Sequence, residues 1–304
     1  MAMRITAAIP TKNRPRDLVS AVASILTQTR LPEELIIVDQ SDGNESSELI
    51  QSMVLAHGDA IKLVYIHDTK ISGLVEAKRV AAERFTTDIL CYLEDDIVLE
   101  RDYIEKIEDG FSSNSEMLGC CGVVTNLPPL PRIYCSAFRL FHRGIFADPR
   151  VGIHGYFEGR GHELIPSRAL SGGLSAWRRE VFSVIEFDVA NEFHMLEDLD
   201  FSTRAESHFG QRFFINPNAR LAHYMSPLNR DRMGPRQRRK VREFFTFYKK
   251  RRESPGAFFA LLWLLCGLCM EAIFQSVGAR SLAPLVGAIS GLVDGVRCPL
   301  RVGR

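Results

Sequence analysis

Ile36-Ile37-Val38-Asp39-Gln40-Ser41-Asp42-Gly43 is an apolar run that ends in acidic and turn-forming residues. A second run, Ile89-Leu90-Cys91-Tyr92-Leu93-Glu94-Asp95-Asp96, has the same organisation. Short continuous apolar runs followed by turn residues are typical of strands that are buried on both faces of a parallel sheet. Ligands of such sheets bind beyond the carboxyl ends of the strands, so we expect Asp39 and the acids from Glu94 to Asp96 to converge in space.

The segments around these runs alternate between strand and helix patterns. We predict further strands at Ile5–Ile9, Leu63–Ile66 and Leu118–Val124. We predict one helix that starts at Asn13 to Pro15 and continues to Leu26, a second with apolar residues from Leu49 to Val54 that is closed by Gly58, and a third at Leu74–Phe85. This alternation predicts an α/β, Rossmann-like fold, in which a mostly parallel sheet is covered by helices on both faces. From Asn126 to Arg168 the periodicity is weak and Pro, Gly, Arg and His are frequent, which predicts loops that shape a pocket.

Three adjacent carboxylates at a strand end repel one another unless a cation or a set of donors offsets their charge. Carboxylate oxygens are suitable ligands for Mg²⁺ or Mn²⁺, which in turn bind phosphate oxygens, so Asp96 and one neighbour are candidate ligands of a metal diphosphate. The alternative is a solvated acidic turn that caps the following helix.

Composition excludes several classes of protein. The chain has 304 residues, 46% of them hydrophobic and 25% charged, and a net charge of +1. These values are ordinary for a globular protein and do not fit disorder or a collagen-like repeat. The seven cysteines lack the spacings of a zinc site or a disulfide framework, which favours a reducing cytosol. The glycine motifs of dinucleotide dehydrogenases and P-loop NTPases are absent, and no cleavable signal is evident at the N-terminus, so we expect a cytoplasmic catalytic part.

Several motifs together resemble a known family. The runs Ile9–Pro15, Ser24–Thr29 and Ile36–Gly43 look like the opening of family 2 glycosyltransferases, which have the GT-A fold. Leu93–Asp96 resembles the D-x-D-type metal motif of that family, and Glu197–Phe201, followed by Arg204, resembles its downstream Glu-Asp motif. The resemblance implies an inverting transferase that uses a nucleotide-sugar donor and a divalent metal, Mg²⁺ or Mn²⁺.

The resemblance also implies a role for individual residues. Thr11 and Asp39 would line the nucleoside pocket, Lys78 would offset phosphate charge, and Asp95 would hold the ribose. The full set implied for donor binding is Pro10, Thr11, Asn13, Asp39, Asp42, Gly73, Lys78 and Asp95. Asp96 and His223 would hold the metal. Glu94 stands where relatives often carry Asp, so the resemblance leaves open whether Glu94 or Asp95 joins Asp96.

Inverting transfer requires one base that removes the proton of the acceptor hydroxyl. Asp198 is the predicted base, with Glu197 as its substitute, at the start of a helix whose dipole favours an ionised carboxylate. The alternative for these acids is helix capping. The predicted acceptor-binding residues are Gly172, Gly173, Trp177 and Arg204, with the glycines allowing close backbone approach and Trp177 offering an aromatic face to a sugar. The alternative is a structural turn with Trp177 in the core.

The C-terminal part differs in composition from the rest. Between Arg230 and Glu253 there are eleven basic residues against three acids, and Ala257–Met270 is almost entirely apolar. A membrane-spanning helix needs about 20 apolar residues, so a re-entrant or interfacial helix is an equal alternative. We therefore divide the chain into a GT-A catalytic domain at 1–228, with a nucleotide-sugar half at 1–125 and an acceptor-binding and catalytic half at 126–228, and a basic, hydrophobic helical tail at 229–304.

The tail predicts a membrane partner. Basic residues attract anionic headgroups, so we expect residues 230–296 to hold the protein on the cytoplasmic face of the cell membrane. A lid on the catalytic domain or a homo-oligomer interface is the alternative. We expect no nucleic-acid partner, because nucleic acid would not account for the adjoining apolar helix.

These observations favour an enzyme that moves a sugar from a UDP-, dTDP- or GDP-sugar to a hydroxyl of a glycan or lipid-linked acceptor. A nucleotidyltransferase with a similar open sheet and a non-catalytic membrane-bound adaptor are the alternatives. The sugar, the base and the acceptor depend on loop contacts that a sequence pattern does not specify.

Overall fold

The computed structural model describes residues 3–128, 130–153, 163–191, 193–228 and 231–301. The described strands form one nine-stranded sheet with the order β3-β2-β1-β4-β8-β6-β9-β5, and β7 pairs with β9 beside this path. The strands are β1 (Ile5–Thr11), β2 (Glu34–Asp39), β3 (Lys62–His67), β4 (Ile89–Tyr92), β5 (Ile97–Leu99), β6 (Gly119–Val124), β7 (Ile165–Pro166), β8 (Ser175–Arg178) and β9 (Phe213–His223).

Helices cover this sheet and form the C-terminal part of the chain. In the first half they are α1 (Pro15–Leu26), α2 (Ser47–Leu55), α3 (Leu74–Arg84), α4 (Tyr103–Ser113), α5 (Arg132–Phe141) and α6 (Arg150–Ile153). In the second half they are α7 (Arg179–Phe182), α8 (Glu197–Phe209), α9 (Met233–Lys250), α10 (Ala257–Gly278) and α11 (Ala283–Arg297).

The N-terminal half of the sheet is parallel, as predicted. β1 pairs in parallel with β2 and β4, and β2 pairs in parallel with β3. Every residue of β1 and β2 is buried, because helices pack on both faces. The apolar residues of α1 that recur at helical spacing, Leu18, Val22 and Ile25, are also buried. The helix–strand alternation of residues 5–92 is therefore confirmed.

The other half of the sheet is mixed, which the prediction of a mostly parallel sheet did not include. β8 runs antiparallel to β4 and β6, and β9 runs antiparallel to β5 and β7. The reason lies where the chain enters β8. The Glu94 N–H, just after β4, donates to the Gly173 carbonyl at 3.0 Å, just before β8. A strand that starts at the carboxyl edge of its neighbour has to run in the opposite direction.

The segment from Asn126 to Arg168 contains helix α5 where we predicted loops, while residues 154–162 of that segment lie outside the described part of the chain. No residue of α5 is fully buried. Its apolar side is only partly covered, by α10: Phe141 packs against Gly267, and the Trp263 indole donates to the Leu140 carbonyl at 2.7 Å. Tyr134, Phe138 and Phe141 recur at helical spacing in α5, so the prediction of loops was wrong for this stretch and missed a local signal.

The C-terminal helices pack on the residues that precede them. A second apolar core joins Phe244 and Phe247 of α9 and Leu264 of α10 to Phe146 and Leu199. The tail is therefore folded against residues 126–228, and a domain boundary near 228 stays a prediction.

Helices α9 and α11 approach each other closely at two glycines. A Cβ at Gly287 would overlap the carbonyl of Gly234, and one at Gly291 would overlap the carbonyl of Arg238. This contact lets two backbones meet without intervening side chains and fixes how α11 lies on α9.

Among the described residues, α10 is the one helix with the length and apolar composition needed to cross a membrane. About 33% of its most apolar stretch is buried inside the protein. Its opposite side exposes large apolar residues, which are Phe258, Phe259, Leu262, Trp263, Met270, Ile273, Phe274 and Val277.

Candidate functional site

A cleft of about 420 Å³ opens at the carboxyl ends of β1 and β4. Its walls come from the parallel half of the sheet, from the turn before β8, from the end of β9 and from the start of α9. The residues that line it are Pro10, Thr11, Lys12, Arg14, Gln40, Gly73, Leu74, Lys78, Leu93, Glu94, Asp95, Asp96, Gly172, Gly173, His194, Met195, His223, Asp231 and Arg236. Most of the chemistry-bearing motifs therefore meet in one place, as parallel-sheet geometry predicts.

Glu94, Asp96 and His223 form a compact group on one side of the cleft. His223 Nε2 lies 2.9 Å from Asp96 Oδ1 and 3.1 Å from Glu94 Oε2. The antiparallel pairing of β5 with β9, in which Ile97 faces His223, brings the histidine beside the acids. One ligand atom from each residue lies within 4.8 Å of the others, so the three side chains could share a metal ion.

The donor set of this group fits a hard divalent cation. Two carboxylates and one imidazole are ligands that Mn²⁺ accepts, and Mg²⁺ accepts the carboxylates. Asp96 also accepts a hydrogen bond from the Ser226 N–H at 2.8 Å, which orients the carboxylate. Glu94, rather than Asp95, is thus the neighbour of Asp96 and His223 in space.

Asp95 points elsewhere and is held by different partners. Its two oxygens accept hydrogen bonds from the Thr11 hydroxyl at 2.8 Å and from Arg14 at 2.9 Å. The Arg14 guanidinium also lies 3.5 Å from Asp96 and donates to the Leu228 carbonyl at 2.7 Å. We did not single out Arg14 in the sequence, although it lies within the Ile9–Pro15 run that carries the resemblance.

The acids of the cluster are in electrostatically different positions. Burial raises the pKa of Glu94 and of Asp95, because it disfavours the charged form. Burial also acts on Asp96, but hydrogen bonds from His223 and the Ser226 N–H outweigh it, with the charge of Arg14, and hold the pKa of Asp96 below its usual value. Of the three acids, Asp96 is therefore the one whose ionised form is most favoured.

Lys78 and Glu197 form a buried ion pair in the cleft wall. Lys78 Nζ lies 2.6 Å from Glu197 Oε1 and donates to the Gly172 carbonyl at 2.9 Å. Burial raises the pKa of Glu197 even though the charge of Lys78 opposes that effect. Lys78 lines the cleft, where it was predicted to bind phosphate, but its positive charge is already paired with the carboxylate of Glu197.

Asp198 lies directly behind Gly172, beside the same ion pair, in a small adjoining pocket. Its carboxylate accepts hydrogen bonds from Arg150 and from the Gly172 N–H, the latter at 3.2 Å. Arg150 is held in turn by Asp148 at 2.7 Å. No sequence signal pointed to Arg150, because it sits in the weakly patterned segment before residue 154.

The two glycines before β8 are required by close contacts. A Cβ on Gly172 would overlap the Glu197 carboxylate and would come within 2.6 Å of Lys78 Nζ. A Cβ on Gly173 would overlap Glu94. The turn therefore forms the wall between the Glu94–His223 group and Asp198.

Three of the residues predicted for donor binding do not line the cleft within the described part of the chain. Asp39 is fully buried, and its carboxylate accepts hydrogen bonds from the Ser41 N–H and the Tyr65 hydroxyl. These partners enclose Asp39, so Gln40 lines the cleft where Asp39 does not, and a role for Asp39 in nucleoside binding stays a prediction.

Asn13 and Asp42 hydrogen-bond to each other and are not among the residues that line the cleft in the described part of the chain. Asn13 Nδ2 donates to Asp42 Oδ2 at 3.0 Å, and the Asp42 N–H donates to Asn13 Oδ1 at 3.0 Å. The pair clamps the loop after β1 to the loop after β2. Pro10, Thr11, Gly73, Lys78 and Asp95 do lie in the cleft.

Two of the residues predicted for acceptor binding do not line the cleft in the described part of the chain: Trp177 is buried in the core, and Arg204 forms an ion pair on α8. Trp177 is 2% exposed and packs edge-on against Phe201 and Phe213, so it offers no face to a sugar. The core position, which the sequence left as the alternative, is the observed one. Arg204 does not line the described cleft but pairs with Asp200 at 2.9 Å, because the two residues are one helical turn apart.

The chain matches a family model over much of its length. Residues 6–186 match the model described as Glycosyl transferase family 2. This range includes the strands β2 to β8, all of β1 except its first residue, and the acids Glu94 to Asp96.

Two curated proteins are among those similar to the chain. It is 24% identical over 225 residues, 70% of this chain and 50% of the relative, to the inactive polypeptide N-acetylgalactosaminyltransferase-like protein 5 of Mus musculus. It is 32% identical over 103 residues, 34% of this chain and 32% of the relative, to the glucosyl-dolichyl phosphate glucuronosyltransferase of Haloferax volcanii. The chain thus spans half or less of the length of these curated relatives.

One solved structure of similar fold is the mannosyltransferase PcManGT from Pyrobaculum calidifontis in complex with GDP-Man and Mn²⁺. It superposes with a TM-score of 0.61 at 16% identity, covering 98% of this chain and 88% of that one. At this identity the likeness concerns the fold, which is GT-A. Since the family model covers more than half of the residues, this chain belongs to glycosyl transferase family 2.

Proposed function

We propose that the protein transfers a glycosyl group from a nucleotide-diphosphate sugar, such as a UDP-, dTDP- or GDP-sugar, to an acceptor hydroxyl with inversion. The observation that carries the proposal is the group Glu94, Asp96 and His223 at the carboxyl ends of parallel strands in a chain of this family. The mannosyltransferase of similar fold was solved with GDP-Man and Mn²⁺, which supports a metal and a nucleotide sugar in this cleft. A nucleotidyltransferase would not belong to this family.

Glu94, Asp96 and His223 would hold the metal ion. When bound, Mn²⁺ or Mg²⁺ neutralises the charge of a diphosphate. The imidazole favours Mn²⁺, because Mg²⁺ prefers oxygen ligands. On the other side of Asp95, Thr11 and Gln40 line the part of the cleft nearest to β1 and β2, where we propose that the nucleoside binds.

We assign the role of general base to Asp198. Its position on the first turn of α8, behind the backbone of Gly172, brings a carboxylate to the wall of the cleft. Arg150 and the Gly172 N–H orient that carboxylate. Glu197 is less suited to the role, because its side chain is more buried than that of Asp198 and one of its two carboxylate oxygens is paired with the buried Lys78.

The donor and the metal are tested together by thermal-shift measurements against a panel of nucleotide sugars with and without Mn²⁺. A ligand present at 100 times its Kd adds about 2.7 kcal/mol to the free energy of unfolding. We expect one donor to raise the melting temperature, and to do so only with Mn²⁺ or Mg²⁺. A flat response to every nucleotide sugar would remove the donor assignment.

The base is tested with Asp198→Asn. The variant should keep the metal-dependent thermal shift with the selected donor, since Asp198 does not touch the Glu94–His223 group. With a membrane lipid extract as the acceptor, the rate at which the variant releases nucleoside diphosphate should fall by a factor of about 10³. Asp59→Asn, an exposed carboxylate outside the cleft, is the matched control. Near-normal turnover by Asp198→Asn would refute the assignment.

A non-catalytic adaptor is the second candidate, and one observation favours it. Three acids in or beside the cleft each carry a cation: Arg14 on Asp95, Lys78 on Glu197 and Arg150 on Asp198. Such pairs reduce the cost of clustering acids in a site that does no chemistry. The thermal-shift panel separates the two candidates, because an adaptor would not select a metal-dependent donor.

We propose that the protein lies on the cytoplasmic face of a membrane, with α10 in the interface rather than across the bilayer. One side of α10 packs on the second core, and its Glu271 pairs with Lys240 of α9 at 2.6 Å. A spanning orientation would take this ion pair into hydrocarbon, which is costly. A dimer formed through the same apolar side is the alternative occupant of this surface.

The basic residues of α9 contribute less to lipid binding than their number suggests. Arg238 pairs with Asp294 at 2.6 Å, and Lys250 pairs with Asp188 at 2.6 Å and Asp200 at 2.7 Å. Lys249 donates to the carbonyls of Gly295 and Cys298 at the end of α11, where the helix dipole favours a cation. Arg238 and Lys249 therefore hold α9 to α11, and Lys250 holds α9 to the catalytic part. Because these cations are already paired, the apolar side of α10 is the main membrane contact in this proposal.

A further inference from the structure

One buried carboxylate of the tail has no counter-charge. Glu243 of α9 is 1% exposed and forms no ion pair within the described residues. Its Oε2 accepts hydrogen bonds from the Met195 N–H at 2.7 Å and from the Leu196 N–H at 3.1 Å. Burial raises the pKa of Glu243, because it disfavours the charged form. An apolar side chain of similar size would fill this place at lower cost, so packing alone does not account for the acid.

The segment that Glu243 holds leads directly into the helix that carries the proposed base. Leu196 immediately precedes the first turn of α8, and its apolar side chain has no oxygen with which to cap that helix. Asp198 follows two residues later. Glu243, which lies 47 positions further along the chain, therefore provides a hydrogen-bond acceptor at the start of α8 from a distant helix.

Apolar contacts tie the same segment to α9. Phe193 and Leu196 belong to the second core together with Phe244 of α9. Between them, His194 and Met195 line the cleft. The segment thus has one side on the cleft and the other on the tail, so the position of α9 determines where α8 begins.

Asp198 is therefore fixed in two independent ways. Its carboxylate is oriented by Arg150 and by the Gly172 N–H, as described above. Its backbone is placed by the contact of Glu243 with the residues just before it. The Glu94–His223 group lies on other elements, at the ends of β4 and β9, and makes no contact with Glu243 in the described part of the chain.

We infer that Glu243 is a positioning residue for the proposed transfer: by holding the N–H groups of Met195 and Leu196, it places Asp198 against the acceptor hydroxyl. The inference rests on the proposed function and adds a residue of the tail to the machinery of that site. A base acts only within hydrogen-bond reach of the proton that it removes, and a displacement of about 1 Å can lower the rate about 100-fold. The tail is then required for the transfer itself and not only for the membrane contact.

The test compares Glu243→Leu with Glu243→Gln in the full chain. Leucine has a similar volume and removes the acceptor, whereas glutamine keeps a carbonyl oxygen for the two N–H groups. The assay measures release of nucleoside diphosphate from the donor selected by thermal shift, with a membrane lipid extract as acceptor. Glu243→Leu should lower kcat about tenfold or more and change the donor KM by less than about twofold. Glu243→Gln should retain kcat within about threefold of the wild type.

The matched control is Glu271→Leu, the same replacement at a tail carboxylate that binds Lys240 instead, and it should leave kcat unchanged. Wild-type kcat in Glu243→Leu would overturn the inference. So would an equal loss in Glu243→Leu and Glu243→Gln, or a rise in the donor KM as large as the loss of kcat. If Glu243→Leu does not fold, Glu243→Asp replaces it: its side chain is one methylene shorter, so it should draw the segment out of place and lower kcat where Glu243→Gln does not.

Failure of this inference is distinguishable from failure of the proposed function. The metal-dependent thermal shift and the loss of turnover in Asp198→Asn test the transfer itself, and neither measurement involves Glu243. If both are observed and Glu243→Leu has wild-type kcat, only the positioning role is wrong. If neither is observed, the proposed function is wrong and the positioning role falls with it.

Discussion

Glu94 and Asp95 are sequence neighbours with opposite surroundings, and this difference makes a residue-scale prediction. Glu94 lies 3.1 Å from His223, whereas Asp95 is tied to Thr11 and Arg14. We expect Glu94→Gln and His223→Ala each to weaken Mn²⁺ binding about tenfold or more, because each removes one ligand of the ion. Mn²⁺ affinity is measured by electron paramagnetic resonance titration of the full chain.

Asp95→Asn is the matched control for Glu94→Gln. It removes the same charge one residue away and should change Mn²⁺ affinity by less than about threefold, since it loses only long-range attraction. If Asp95→Asn weakens Mn²⁺ as much as Glu94→Gln does, the ligand set is different from Glu94, Asp96 and His223.

Gly172 makes a second prediction at this scale. Gly172→Ala should lower the free energy of unfolding by about 1–3 kcal/mol, because the added methyl overlaps the buried pair of Lys78 and Glu197. Urea unfolding measures the loss. Gly278→Ala, in α10 with no atom within 4 Å of the added carbon, should be neutral or slightly stabilising. A neutral Gly172→Ala would mean that the pair repacks without cost.

At the scale of elements, Asp200 connects α8 to the end of α9. Its buried carboxylate accepts from Lys250 at 2.7 Å, from Arg251 at 3.1 Å and from Arg204 at 2.9 Å. Asp200→Asn should lower the free energy of unfolding by about 3 kcal/mol, because it leaves Arg204 and Arg251 without their anion and Lys250 with Asp188 alone. It should also speed proteolysis near Ser254, where α9 gives way to α10. An exposed control such as Asp59→Asn should do neither.

The same carboxylate predicts a pH dependence. The charges of Arg204, Lys250 and Arg251 outweigh the effect of burial and hold the pKa of Asp200 below its ordinary value. The stability that Asp200 contributes is therefore present above the unfolded pKa of about 3.9 and is lost as the pH falls through the lower folded value. The difference in stability between the wild type and Asp200→Asn should stay constant from pH 7 to pH 5 and shrink below about pH 4. If the difference in stability already shrinks at pH 6, the pH dependence comes from the titration of another group.

At the scale of the whole molecule, the exposed side of α10 makes the membrane contact in our proposal. Phe259, Phe274 and Val277 are 75%, 70% and 73% exposed and make no contribution to the second core. The triple replacement by Ser should abolish co-sedimentation with vesicles that contain anionic lipid and leave the melting temperature nearly unchanged. Removing the whole tail is a less informative test, because Leu261, Leu264 and Leu268 of α10 are part of that core.

A matched triple variant controls for lost apolar surface in general. Leu49→Ser, Leu55→Ser and Val184→Ser change exposed apolar residues outside the tail and should retain vesicle binding. Unchanged sedimentation of the α10 triple variant would remove the membrane assignment of this surface and favour a dimer interface, which light scattering would detect.

Local patterns were sufficient for the first half of the fold. Strands such as β2 are buried on both faces, so their apolar runs are unbroken, and acids that follow them have to lie at the carboxyl edge of the sheet. The sequence therefore predicted the parallel strands, the acidic cluster at Glu94 to Asp96 and the apolar run of α10. It did not predict β8 and β9, whose direction depends on long-range pairing.

The side-chain partners were decided only by tertiary structure. Asp39 follows its strand as the pattern requires, but Tyr65 of the neighbouring strand closes it off. Trp177 is in the core because Phe201 and Phe213 meet it from α8 and β9, and Arg150 reaches Asp198 across 48 positions. Periodicity reports which face of an element is apolar, a local property of the chain. Hydrogen bonds and ion pairs between distant residues depend on how the elements pack, so the choice of Glu94 over Asp95 beside His223 belongs to the folded molecule alone.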